Sequence, residues 1–422
     1  MQGFENKDFN GKFNKRSTIE KLMSIIENNS NEQVRVNSLE TLNRLDLLND
    51  EHFEYLEDLS VSDQSINVRS IAVKIVIQKF FEQAQFLIDW IIQTETNPSL
   101  LFNVIESLDK KNQDFLTSLL VKSLNRKINL KSNRIIEKYN KEIKDIFRQK
   151  PAGLHDVNDL KKLYINYNFI INLETKFHFS ENPNSSSLLF FLENGFITEL
   201  RIWGLNLTKV SDLNGIGLLT DLKILDLSGN NLREIDGLEK LTQLKLLKFG
   251  DLNYDTGNQI SEIKGLSSLT RPKILNLSNN NVKEIKGLED LKNLEFLFLV
   301  NNSITEIKGI ENLKNLKYFN LEKNFITRIK NANNLTNLET LVLGNNQISK
   351  LENINDLFNL KEIRINNNPL TEVNDIQGSK KINLIIHASE VERMSWLKNI
   401  KHLNIKTIGN EKPKEYCSRY YQ

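Results

Sequence analysis

The chain has 422 residues, with 56 Lys and Arg against 54 Asp and Glu, 39% hydrophobic residues and a single cysteine. That length exceeds one compact core, and the near-average composition argues against a wholly disordered chain. One cysteine, Cys417, excludes an internal disulfide framework and any multi-cysteine metal site, and the net charge of +2 provides no global field for nucleic acid or membrane.

Residues 1–16, within the polar start MQGFENKDFNGKFNKRS, read as a flexible N-terminus without the apolar core of a secretory signal. No run of about 18 apolar residues is present to span a bilayer, so the expectation is a soluble, cytoplasmic protein. From 17 to 150 the apolar spacing is helical, as in Ile19, Leu22, Met23 and Ile26. The segment Gln33-Val34-Arg35-Val36 is echoed 34 residues later by Asn67-Val68-Arg69-Ser70, with eroded copies at Pro98-Ser99-Leu100-Leu101 and Arg134-Ile135-Ile136. A Val-Arg dipeptide opening the second helix of a pair resembles HEAT repeats, which implies stacked helix pairs; an irregular helical bundle is the alternative.

Residues 1–109 hold 10 basic and 18 acidic side chains, a balance of −8, whereas residues 110–150 hold 12 and 4, a balance of +8. The basic stretch (Lys122, Arg126, Lys127, Lys131, Arg134, Lys138, Lys141) reads either as a solvated helix face or as a ridge for an anionic surface or nucleic acid. Its single aromatic, Tyr139, disfavours base stacking. Lys150-Pro151-Ala152-Gly153 marks a boundary, because Pro and Gly end helices.

From Leu160 the pattern L-x-x-L-x-L-x-x-N-x-L keeps returning, with anchors at Leu163, Leu200, Leu225, Leu247, Leu275, Leu297, Phe319, Leu341, Ile363 and Ile385. Six of the nine steps are 22 residues; the others are 37, 25 and 28, with insertions at Ser180–Ser187 and Asp251–Asn258. Asn168, Asn230, Asn280, Asn302, Asn324, Asn346 and Asn368 follow five residues after an anchor, Asn258 takes that role late, and Leu205 interrupts it. Each unit reads as a short strand such as Leu275-Asn276-Leu277, an asparagine turn and a return segment such as Lys286-Gly287-Leu288. No unit can bury its leucine face alone, so the units must stack.

This code resembles the leucine-rich repeats of the short 22-residue class found in intracellular phosphatase regulators and in bacterial internalins. The resemblance implies an α/β solenoid with a parallel, concave sheet, preceded here by the all-α HEAT-like domain. The expected layout is helical repeats at 17–150, leucine-rich repeats at 151–381, a C-terminal cap at 382–408 and a tail at 409–422.

No nucleotide-loop, zinc-protease or nucleophile-elbow motif is present, and the five histidines are scattered, so neither an enzyme nor a cofactor site is expected. Positions one before, one after and three after each anchor turn away from the leucine core. There Phe296, Phe298, Val300 and Tyr318 form an apolar patch, Tyr164, Arg201 and Trp203 a second anchor, and Asp226, Lys248, Glu322 and Arg364 a polar rim. Ile224, Leu246 and Ile274, before their anchors, suit packing between strands as well as binding. The function expected is a non-catalytic scaffold, monomeric alone, that grips a folded protein. The repeat class implies a phosphatase or small-GTPase regulator, echoed by Asp226, Phe298 and Glu322.

Overall fold

The computed structural model describes residues 15–129, 134–149, 156–177, 187–252, 256–373, 381–390, 393–395, 397 and 402–408. Most of the expected flexible N-terminus, the boundary at Pro151–Gly153, most of the Ser180–Ser187 insertion and the tail with Cys417 lie outside them. The chain divides into two compact units, Met1–Lys176 and Phe177–Gln422.

The first unit consists of helices α1 (Lys15–Asn28), α2 (Glu32–Arg44), α3 (Phe53–Ser62), α4 (Ile66–Lys79), α5 (Phe81–Thr94), α6 (Pro98–Lys111), α7 (Gln113–Lys127), α8 (Arg134–Gln149) and α9 (Val157–Phe177). Polar caps start α2, α4 and α6: Asn31 accepts from the Val34 N–H, Ser65 from Val68, and Asn97 from Ser99 and Leu100. Four residues after its cap, Arg35 donates back to the Ile26 carbonyl (2.7 Å) and forward to Asp63. Arg69 repeats this with the Ser60 carbonyl (3.2 Å) and Glu95. The Val-Arg signature is therefore a stacking device that ties the first helix pair to the second and the second to the third. Further links recur at a separation of 33 residues, including Lys122 to Asp89 (2.9 Å) and Lys111 to the Gln78 carbonyl (3.1 Å). Buried Leu101 stands where a third arginine would fall.

Helix α9 corrects the expected start of the solenoid, because Leu163, Tyr164 and Asn168 lie within it and not in a first leucine-rich repeat. The L-x-x-L spacing of Leu160 and Leu163 suits a helix as well as a repeat, and no glycine or proline interrupts 157–177. The Asn168 amide donates to the Tyr164 carbonyl one turn back (2.7 Å), and its oxygen accepts from the Lys127 ammonium (2.6 Å). That ammonium also donates to the Tyr164 hydroxyl (3.2 Å) and lies 5.0 Å from its ring centre. The Tyr164 hydroxyl donates in turn to the Ile92 carbonyl. Lys161 joins α9 to Glu106 (2.9 Å) and Asp109 (2.8 Å) on α6.

The second unit holds one eleven-stranded sheet: β1 (Leu188–Glu193), β2 (Phe196–Ile202), β3 (Ile224–Asp226), β4 (Leu246–Lys248), β5 (Ile274–Asn276), β6 (Phe296–Phe298), β7 (Tyr318–Asn320), β8 (Thr340–Val342), β10 (Glu362–Arg364), β12 (Ile382–His387) and β13 (Leu403–Ile408). A separate parallel pair joins β9 (Lys350–Leu351) and β11 (Glu372–Val373). The pairing aligns Leu200, Leu225, Leu247, Leu275, Leu297, Phe319, Leu341 and Ile363, as the anchor series requires. These anchors are almost wholly buried and build the core.

The sheet begins with an unexpected antiparallel hairpin, β1–β2, turned by Asn194 (φ 54°) and Gly195 (φ 84°). Asn-Gly with both φ positive suits a tight turn that matches strand twist. At the other end Ile363 pairs with Leu384, so the last anchor is Leu384 and not Ile385. Buried Glu390 seals this end by accepting from the backbone N–H groups of Asn367 (3.0 Å) and His387 (2.9 Å). Within the cap expected at 382–408, a 3-10 turn at Ala388–Glu390 and buried Met394 and Leu397 lie between β12 and β13.

On the return side, Gly265, Gly287 and Gly309 hold φ between 74° and 78°, and a Cβ there would lie 2.0–2.2 Å from the carbonyl oxygen of the preceding unit. Asn331 and Asn353 continue this column at φ 57° and 60°, donating to the Ile307 (3.1 Å) and Ile329 (2.7 Å) carbonyls instead. Gly309→Ala should therefore cost about 2 kcal/mol or more in urea unfolding, and Gly309→Asn at least about 1 kcal/mol less, because the amide recovers the carbonyl contact.

A second prediction concerns Lys127, whose pKa burial pulls down to about 8. The unfolded state then holds the extra proton between about pH 8 and the ordinary lysine value, so stability contributed here rises with pH across that window. Burial also raises the pKa of Tyr167, to about 12, so the unfolded chain ionises first and stability falls again above about pH 10. Melting temperature should rise from pH 8 to near 10 and then fall, and Lys127→Met should flatten the rise. An equal slope in that variant would exclude Lys127 as its source.

Candidate interaction face of the repeat sheet

Strand register brings the positions before the anchors into one row: Glu199, Ile224, Leu246, Ile274, Phe296, Tyr318, Thr340 and Glu362. Five consecutive members are apolar. Neighbouring strands lie about 4.8 Å apart, so Ile224 to Tyr318 make a stripe roughly 19 Å long. Ile224, Leu246, Ile274 and Phe296 are half-buried, and Tyr318 is only 5% exposed. At each end a glutamate pairs with an arginine two residues on: Glu199 with Arg201, and Glu362 with Arg364 at 2.7 Å.

The next row, one after the anchors, is Arg201, Asp226, Lys248, Asn276, Phe298, Asn320, Val342 and Arg364. From Asp226 to Val342 it is buried. Asp226, Asn276 and Asn320 each accept, at 2.9–3.0 Å, from the backbone N–H two residues on, which turns the chain out of the strand. Lys248 ion-pairs Asp226 at 3.2 Å and also Asp251 of the inserted loop. Asp226 and Lys248 thus form an internal ion cluster and not the solvated rim expected.

The aromatic patch is corrected in the same way. Phe298 (1% exposed), Tyr318 and Val342 (3%) form a cluster against which Leu252, Ile274 and Phe296 pack. The Phe298 and Tyr318 rings are 5.3 Å apart and Val300 is 6% exposed, so the exposed aromatic surface on this strand reduces to Phe296. Leu252 belongs to the inserted loop after β4, where Asp251 bridges Thr256. The repeat's six-residue excess was the signal for that loop; its packing onto the sheet had none.

Trp203 is half-buried beyond β2, and its backbone N–H donates to the Ser187 carbonyl (2.9 Å). Glu322 is partly buried and accepts from the Asn345 amide (3.0 Å). Tyr164 is buried in α9 of the helical unit and lies on no strand of this sheet. In the helical unit Lys122 is paired with Asp89, Arg126 donates to Gln93 and Lys127 is buried, so three ridge cations are committed internally. Lys141 is exposed, Lys131 lies outside the described residues, and so do the side chains of Arg134 and Lys138.

Among the described residues no group of three His, Cys, Asp or Glu side chains is placed to hold a metal ion, and no helix is long and apolar enough to cross a membrane.

The sequence model of the family described as Leucine Rich repeats (2 copies) matches residues 292–335. No curated protein matches the chain at a significant level. Among solved structures, internalin C2 of Listeria monocytogenes is 24% identical with a TM-score of 0.39, covering 50% of this chain and 81% of the internalin. A leucine-rich-repeat protein of Leptospira interrogans is 28% identical with a TM-score of 0.34, covering 46% of this chain and 50% of that one. A further internalin of L. monocytogenes, InlF, is 23% identical with a TM-score of 0.30, covering 52% and 86%. Repeat period, buried asparagines and family match agree that the second unit is built of leucine-rich repeats, which follow a unit of paired helices.

Proposed function

We propose that the chain is a protein-interaction scaffold whose repeat sheet binds a folded protein along the apolar stripe Ile224–Leu246–Ile274–Phe296. The observation that carries this reading is the row's composition: apolar residues stay half-exposed on neighbouring strands, while the adjoining row is occupied by internal hydrogen bonds and ion pairs. Apolar surface framed by charged pairs, here Glu199–Arg201 and Glu362–Arg364, has the make-up of an interface core with a polar rim. Of the residues that suggested a phosphatase, Asp226 and Phe298 serve internal contacts, so the reading specifies a folded protein and no enzyme class. Binding of an anionic surface by the basic ridge is less favoured, since Lys122, Arg126 and Lys127 are engaged within the helical unit.

Glutamate already occupies this row at positions 199 and 362, so the backbone accepts it there. Ile274→Glu and Phe296→Glu should keep the melting temperature within a few degrees. Each should weaken capture of a partner from a source-cell lysate by about 30-fold or more, the loss expected at a hot spot. Capture by wild type should vary little with salt, as an apolar interface predicts. Partners retained equally by wild type and both variants would remove the stripe from consideration.

A further inference from the structure

The helical unit contains a groove of about 350 Å³ between α4 and α6, lined by Ser70, Ile71 and Lys74 from one helix and Glu106, Lys110 and Lys111 from the other. Ser70 is 6% exposed, and its hydroxyl has no hydrogen-bond partner. Other serines in these helices return the hydroxyl to the carbonyl four residues back: Ser38 at 2.8 Å, Ser60 at 2.6 Å and Ser107 at 2.7 Å. Ser70 does not, which leaves a buried donor on the groove wall.

The charge of the groove is equally unbalanced. Among the described residues Lys74, Lys110 and Lys111 have no ion-pair partner; Lys111 reaches only the Gln78 carbonyl (3.1 Å) and the face of Phe81 (6.0 Å). Glu106 is held by Lys161 at 2.9 Å, so it offsets little of the three ammonium charges. Three ammoniums beside a hydroxyl with a free O–H call for an anion with several terminal oxygens and nearly two charges, which a phosphate monoester carries at neutral pH. The volume falls at the small end of ligand sites, and Ile71 offers an apolar wall.

We propose that this groove binds an organic phosphate monoester, its oxygens received by Lys74, Lys110, Lys111 and the Ser70 hydroxyl, with the organic part against Ile71. The site is independent of the sheet face.

Isothermal titration of the full chain with O-phosphoserine at low salt tests it. Saturable one-to-one binding is expected, with inorganic phosphate weaker. Ser70→Ala should lower the affinity about five- to tenfold while leaving the melting temperature equal or higher, since it removes an unsatisfied buried hydroxyl. Lys74→Gln combined with Lys110→Gln, both exposed positions, should lower it about tenfold or more. A phosphoserine tripeptide binding more tightly than the free amino acid would assign the ester to a peptide, and weaker binding would assign it to a free metabolite. The proposal is overturned if O-phosphoserine gives no saturable heat up to about 10 mM, or if the substituted chains bind it unchanged. Inorganic phosphate binding equally well would reduce the site to one for a simple ion and overturn the ester assignment.

Discussion

The solenoid depends on one interaction repeated from Asn230 to Asn368: a buried asparagine amide that ties its own turn to the one before. The Asn302 oxygen accepts from the Val282 N–H (2.9 Å), while its NH2 donates to the Leu277 carbonyl of the preceding unit (3.0 Å) and to the Val300 carbonyl of its own (3.2 Å). Asn324, Asn346 and Asn368 repeat the pattern, and their N–H contacts span 2.9–3.0 Å. Only a side chain that both donates and accepts can do this, so aspartate and leucine cannot substitute. Removing one amide would leave several buried backbone groups unpaired, at about 1–3 kcal/mol each.

Because the amides fix the stacking distance and register, the rows on the sheet face follow without further specification. Leucines and isoleucines fill the inside. Outside, the strands are only three residues long, so one row stands at the strand end and is drawn into the turn, as Asp226, Asn276 and Asn320 show. The row before it stays half-exposed from Ile224 to Phe296. Where an insertion lengthens a unit, its loop packs Leu252 over the aromatic cluster and aims Asp251 at Lys248, and the surface that the pattern promised becomes interior. Asn258 meanwhile still reaches the Leu227 (2.9 Å) and Phe249 (2.8 Å) carbonyls, so the insertion does not interrupt the ladder.

The sequence made legible whatever repeats. Anchors from Leu200 to Ile363 fall in register, and the late role of Asn258 was readable from the spacing alone. The Val-Arg dipeptides at 34 and 68 likewise marked the stacking arginines. Misreadings occur where a local pattern fits two structures or where burial depends on distant residues. Leu160 and Leu163 suit a helix and a repeat equally, and only the packing of α9 decides between them. The basic ridge looked free because its partners, Asp89 and Gln93, sit 33 residues away on another helix. Phe298 looked exposed because alternation places it outside, and nothing near it in sequence announces Leu252.

The claim that turns are bonded to their predecessors, and not merely stacked on them, is tested most directly by hydrogen exchange on Asn302→Ala in the full chain. Protection should fall both around residues 299–302 and in the preceding turn at 277–282, the Val282 amide above all, with the helical unit unchanged. Loss confined to 299–304, with 277–282 as protected as in wild type, would contradict the account and leave apolar packing as the force that holds the repeats in line.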